Sequence, residues 1–203
     1  MKHWHLETYD GTQDLTEFFI EAERRRFYNN SNADMLLKSL ENEIDANLFL
    51  LYNAERIIGC VVSHKLQGLE ILGSPAYRIG ARICVLSHLV QGHRLHNTMR
   101  NLRNAPRPHD HPSAQFLIPA CIEHCGRDAN MYISTHPSPI AKQRAVHTRW
   151  APEWRKQGFL EDPIELEYRG TIQSFWKFKV DNYYKEMQDE RWPEAEEILP
   201  VLT

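Results

Sequence analysis

Eleven histidines are the residues of this chain best able to move protons near neutral pH, because an unperturbed imidazole titrates near 6.5. Two short clusters invite a metal reading: His109-Asp110-His111, and Cys121, His124 and Cys125 in CIEHC. On a helix Cys121 and Cys125 share a face, and His124 lies three residues from Cys121. A structural zinc needs four ligands in recognisable pairs, and this helix offers three. The spacing favours an apolar-face cysteine pair instead, and no metal is expected. His109 and His111 fall in the Pro-rich APRPHDHPSAQ and are expected to be exposed. A run of cations, Arg94, Arg100, Arg103 and Arg107, suits a phosphate group or simply forms the basic face of a helix. No cysteine stands in activating surroundings, and no nucleophile–base pair is legible.

These residues need a scaffold. At 203 residues, with 42% apolar and 25% charged side chains, the chain is long enough for one domain with a full mixed core. A net charge of -3 and the lack of a single-sign block disfavour a nucleic-acid partner, and no aromatics interleave the basic run to stack bases. The start MKHWHLETYD lacks the apolar segment of a leader, and no run reaches the length of a membrane span. A reduced, cytoplasmic protein with no membrane partner is expected, with Cys60 and Cys84 as buried thiols.

Periodicity predicts a strand in WHLETYDGTQ and a helix in DLTEFFIEAERRRFYNN. A second helix is expected in ADMLLKSLENEI, with Met35, Leu36, Leu40 and Ile44 on one stripe. NLFLLYNAERIIGCVVSHKLQ reads as a hairpin turning at Asn53-Ala54-Glu55-Arg56, and AYRIGARICVL as a further strand. SHLVQGHRLHNTMRNLRN suits a loop entering a helix, FLIPACIEHCGRD a short helix and NMYISTH a strand. SPIAKQRAVHTRWAPEWRKQG predicts a helix that Pro152 kinks or interrupts. IELEYRGTIQSFWKFKV supplies two last strands turning at Arg169-Gly170, and the tail from Asp181 is expected to be helical to about Glu190. The order is β-α-α-β-β-β-α-(α)-β-α-β-β, a mixed α/β domain over residues 1–180 with a helical tail at 181–203.

That order, with Lys156 and Gly158-Phe159 in WRKQGF and the closing EYRGTIQSFWKF, resembles the GNAT superfamily of N-acetyltransferases. The layout is also similar to small GNAT-like proteins of tailed phages, which implies a host cytoplasm. The resemblance covers most of the chain, and it implies a single mixed sheet flanked by helices and splayed between its fourth and fifth strands. It further implies acetyl-coenzyme A as cofactor and acetyl transfer by direct attack of an amine, whether on a small molecule, a protein or a modified base. Two departures stand out. His147 occupies the position of a family Asn, and Trp154 that of a Tyr which often reprotonates the coenzyme A thiolate. An indole N–H is a donor but far too weak an acid for that step. The second departure is the pyrophosphate loop. The family carries a glycine-rich turn leading into a helix, whereas LVQGHRLHNTM keeps Gln91 and Gly92 but has His93 and Arg94 where small residues are usual.

On that resemblance the cofactor lies along Cys84, Val85 and Leu86, follows the turn Gln91, Gly92, His93, Arg94, Leu95 and His96, and reaches Ser134 and Trp154. The acceptor's proton falls to His88, His136 or His147. Holding amine and thioester together supplies much of the acceleration, about 7–11 kcal/mol at best. Trp154 and the glycine-poor loop leave an alternative of another class, a catalytically inactive GNAT-like binding or structural protein that has lost the cofactor. A third reading keeps the enzyme with a different acyl donor. The aromatic tail after Val180 is expected to pack on its own domain or on a second copy.

Overall fold

The structure is a computed structural model, and it describes residues 4–24, 33–84, 116–135 and 146–187. Seven strands form one sheet in the order β1-β2-β3-β4-β5-β7-β6. They are β1 (Trp4–Thr8), β2 (Ile44–Asn53), β3 (Arg56–Lys65), β4 (Ala76–Cys84), β5 (Asn130–Thr135), β6 (Ile164–Tyr168) and β7 (Thr171–Lys177). The helices are α1 (Thr16–Arg24), α2 (Ala33–Asn42), α3 (Ile118–Cys125), α4 (Val146–Lys156) and α5 (Val180–Met187). β4 and β5 run parallel, while the other neighbouring pairs are antiparallel.

The burial of each strand follows its composition. Leu48 to Tyr52 of β2 are all buried, and so are Ile58 to His64 of β3, as expected for central strands covered on both faces. β6, at the sheet edge, alternates between half-buried and exposed residues. Leu15, Phe18, Phe19 and Ala22 put one stripe of α1 into the core and leave Ile20 on the outside. Asp14 opens that helix, its Oδ1 accepting the Thr16 N–H at 2.9 Å.

Register assigns side chains to the two faces of the sheet. On one face lie Asn47, Phe49 and Ser63, and α3 covers them: Phe49 meets the His124 ring at 5.7 Å and Asn47 bonds His124 at 2.8 Å. On the other face His64, Arg78 and Tyr132 form one cross-strand row. A small second core of Leu66, Leu72, Ala76, Tyr132 and Phe175 lies beside that row, and Tyr132 donates its hydroxyl to the Leu72 carbonyl at 2.8 Å.

Both predicted hairpins form. Ala54 takes φ 55°, and the β6–β7 turn carries Arg169 at φ 54° and Gly170 at φ 73°. Two consecutive positive φ values give the turn whose twist matches the flanking strands. One expectation is corrected and a second is narrowed. Ile44 does not extend the stripe of α2: the helix ends at Asn42, and Ile44 opens β2 opposite Lys65 at 46% exposure. Pairing across the sheet outweighs helical periodicity there, and Asp45 at φ 48° turns the chain. Pro152 does not interrupt α4, which is continuous from Val146 to Lys156. Its ring faces outward, while the neighbouring Ala151 and Trp154 are buried and hold the turn.

The end of α4 explains the WRKQGF motif. Gly158 at φ 87° donates its N–H to the Arg155 carbonyl at 3.0 Å, and Phe159 donates to the Trp154 carbonyl at 2.9 Å. This pair of bonds is a Schellman stop, which asks for glycine at the left-handed position and an apolar contact across the last turn. Phe159 makes that contact edge-to-face with Trp154, ring centres 6.4 Å apart. Phe178 and Tyr183 close the group at 6.4 and 6.2 Å from the indole. α5 thus docks on the domain through Tyr183 and Val180.

Candidate functional site

β4 and β5 pair only from Ala76↔Asn130 to Ile79↔Ile133. Beyond that point β4 continues to Cys84 along β3, and β5 continues to Thr135 along β7, without meeting each other. The two halves of the sheet therefore part. Among the described residues no strand pairs with Gly80–Cys84 on the side that faces β5, and amides and carbonyls of a strand call for partners. An extended chain bearing amides fits that requirement.

A polar cluster spans one face at the start of the gap. Arg78 donates its Nε–H to Ser134 Oγ at 2.8 Å, reaching from β4 to β5. A Cβ at Gly80 would stand 3.2 Å from Arg78 Nη1, so the guanidinium lies over Gly80 as well. The Arg78 guanidinium is 5.5 Å from the centre of the Tyr168 ring, and that of Arg169 is 5.1 Å away. Arg169 forms an ion pair with Glu43 at the junction of α2 and β2. Glu43 Oε2 also stands 3.0 Å from His64 Nδ1. That contact is off line, because the buried Nδ1 has no hydrogen-bond partner. His64 is 3% exposed, and burial followed by the charge of Arg78 pushes its pKa down to about 4. It is a neutral imidazole at physiological pH.

The opposite face holds a second network that ties α3 down. Tyr77 donates its hydroxyl to Asp45 Oδ2 at 2.6 Å, and that bond, more than burial, raises the phenol to about 12. His124 Nε2 lies 3.5 Å from Asp45 Oδ1. Cys125 Sγ is 3.6 Å from Ser63 Oγ, and burial lifts its thiol to about 11, which rules out a thiolate nucleophile at neutral pH. Cys121 lies wholly in the core. Among the described residues, no group of three His, Cys, Asp or Glu side chains is placed to hold a metal ion.

The residues singled out from sequence fall into three sets. Ser134 stands at the gap, its hydroxyl engaged by Arg78. Cys84 ends β4 opposite Gly59, and His147 lies in the first turn of α4. Trp154 is 2% exposed inside its aromatic group, packing rather than lining a surface. His88, His136, Val85, Leu86 and the turn from Gln91 to His96 lie outside the described residues. Sequence reasoning passed over Glu43, His64, Arg78, Tyr168 and Arg169. A signal existed for two of them: His64 and Arg78 are polar residues inside otherwise apolar strands.

A groove of about 690 Å³ lies between the start of α1 and the β2–β3 turn, lined by Gln13, Asp14, Tyr52 and Arg56 among others. β4 stands between it and the gap.

No family model matches the chain, and no curated protein does. Solved structures do. An uncharacterised protein from Bacillus halodurans is 15% identical, with 91% of this chain and 89% of that one covered at a TM-score of 0.52. A protein described as a GNAT-family acetyltransferase, from Desulfovibrio desulfuricans, is 11% identical with 88% and 99% covered and a TM-score of 0.52. An aminoglycoside N(6')-acetyltransferase from Legionella pneumophila is 14% identical with 92% and 97% covered, again at 0.52. The sheet order, the parallel β4–β5 pair and these matches establish the architecture: the chain has the fold of the GNAT acetyltransferases.

Proposed function

We propose that the protein is an acyl-coenzyme A-dependent N-acetyltransferase acting on an amine. The observation that carries this reading is the parting of β4 and β5 beyond Ile79 and Ile133 within this fold. Acetyl-coenzyme A would supply an acetyl group already activated as a thioester. The gap edge from Gly80 to Cys84 would hold its amide-bearing arm, and Val85, Leu86 and the turn from Gln91 to His96 would continue that contact, with Arg94 toward phosphate. The chain's own part is then to orient the amine and accept its proton, a role we assign to His88, His136 or His147. Direct attack fits the protonated state of Cys125. Transfer in a cytoplasm, that of a host if a phage encodes the chain, belongs to the same reading.

A second reading is favoured by one observation. Trp154, where the resemblance expects the acid, is a core side chain, which suits a protein that keeps the fold for binding alone. Calorimetric titration with acetyl-coenzyme A, and separately with desulfo-coenzyme A, decides between them. Micromolar binding weakened by Arg94→Ala supports the enzyme. No heat from either compound at millimolar concentration removes it and leaves the binding protein.

A further inference from the structure

The cluster at the mouth of the gap carries information about the acceptor. Arg78 is held by Ser134 on one side and lies close over Gly80, where a Cβ would stand 3.2 Å from its Nη1. Its planar guanidinium therefore lies across the point where the two strands separate. Tyr168 stands beside it and brings Arg169 close, so two guanidinium groups flank one ring. Glu43 pairs with Arg169, so a carboxylate is already accommodated by this cluster. His64 adds no charge of its own.

We infer that the acceptor is an amine that also bears a carboxylate, read by Arg78 with Arg169 as a second cation; this rests on the acyl-transfer reading above. A guanidinium presents several N–H donors in a plane that matches a carboxylate, so it orients such a ligand as well as attracting it. A simple alkylammonium or a polyamine meets like charge in the same place. Arg78 is in this sense a specificity-determining residue, set where β4 and β5 part.

The test uses the full chain and matched pairs of amines: L-leucine against isoamylamine, L-phenylalanine against 2-phenylethylamine, and L-lysine against cadaverine. Release of the coenzyme A thiol gives kcat/KM for each, and calorimetry without any cofactor gives binding of each separately. The expected result is a preference of about ten- to a hundredfold for the carboxylate-bearing member of at least one pair, the scale of charged hydrogen bonds. Arg78→Met should erase that preference through KM, and Arg78→Lys should keep part of it. The proposal is overturned if both members of every pair bind alike or none binds, or if Arg78→Met lowers kcat equally for all amines. That last pattern would mark a group acting on the thioester. Failure to bind acetyl-coenzyme A while carboxylated amines still bind would remove the acyl-transfer reading and leave this site standing.

Discussion

Replacing Trp154 by alanine decides what the exchange from tyrosine means. The indole is among the largest fully buried side chains, and it touches Phe159, Phe178 and Tyr183, each ring centre 6.2–6.4 Å away. Removing a buried Trp side chain costs about 3–5 kcal/mol, from lost transfer and an unfilled cavity. The upper half of that range is expected, because three ring contacts, two of them edge-to-face, go together and the Schellman stop loses its apolar partner. For a chain of this length the loss corresponds to a fall in Tm of roughly 8–20 °C. Thermal denaturation followed by circular dichroism, with urea unfolding as a second measure, reads it directly. A loss below about 1 kcal/mol would refute the packing argument and return Trp154 to the surface of a site. Trp154→Tyr sharpens the comparison. In the core the added hydroxyl must be desolvated, costing about 1–3 kcal/mol if nothing receives it. If instead the position serves proton transfer, the tyrosine variant should turn over acetyl-coenzyme A faster than the parent.

Other perturbations give equally definite outcomes. Gly80→Ala puts a methyl group 3.2 Å from Arg78 Nη1, so the guanidinium must shift by a few tenths of an ångström. Tm should change little while acceptor preference weakens, and unchanged kinetics would show that the position of Arg78 is immaterial. His64 makes stability depend on acidity: its folded pKa of about 4 lies below the unfolded value near 6.5, so the unfolded chain takes up a proton first. The resulting stability is complete above about pH 6.5 and is lost as pH falls toward 4, by on the order of 3 kcal/mol. Tm measured from pH 7 to 4 should therefore fall less steeply in His64→Gln than in the parent, and parallel curves would contradict the burial argument. Tyr77→Phe removes the 2.6 Å bond to Asp45 and should cost about 1 kcal/mol in urea unfolding, since Asp45 is part-exposed and can rehydrate.

Much of the architecture was legible in the residues themselves. The hairpins at Asn53 to Arg56 and at Arg169-Gly170 are local events, set by residues that accept a positive φ between apolar runs. The same holds for the stop at Gly158-Phe159, where one glycine and one aromatic suffice to end a helix. The error at Ile44 came from trusting periodicity at a junction, where a strand ladder with β3 outweighed it. At Pro152, where a kink or an interruption was expected, the helix runs on unbroken, because the buried Ala151 and Trp154 hold that turn.

The site is another matter. Glu43, His64, Arg78, Ser134, Tyr168 and Arg169 are spread over four strands and two connections, and no spacing relates them. They meet because a sheet aligns residues in rows across strands that are distant in sequence, so that His64, Arg78 and Tyr132 share one line on one face. The gap itself is the absence of pairing between two strands that start out paired, a property of neither strand alone. The chain's residues determined by themselves where it turns, where its helices stop and which runs are buried, because those depend on local conformation and on water. The tertiary structure alone decided which charges stand together and where the sheet opens, because those depend on register between segments that meet only after folding.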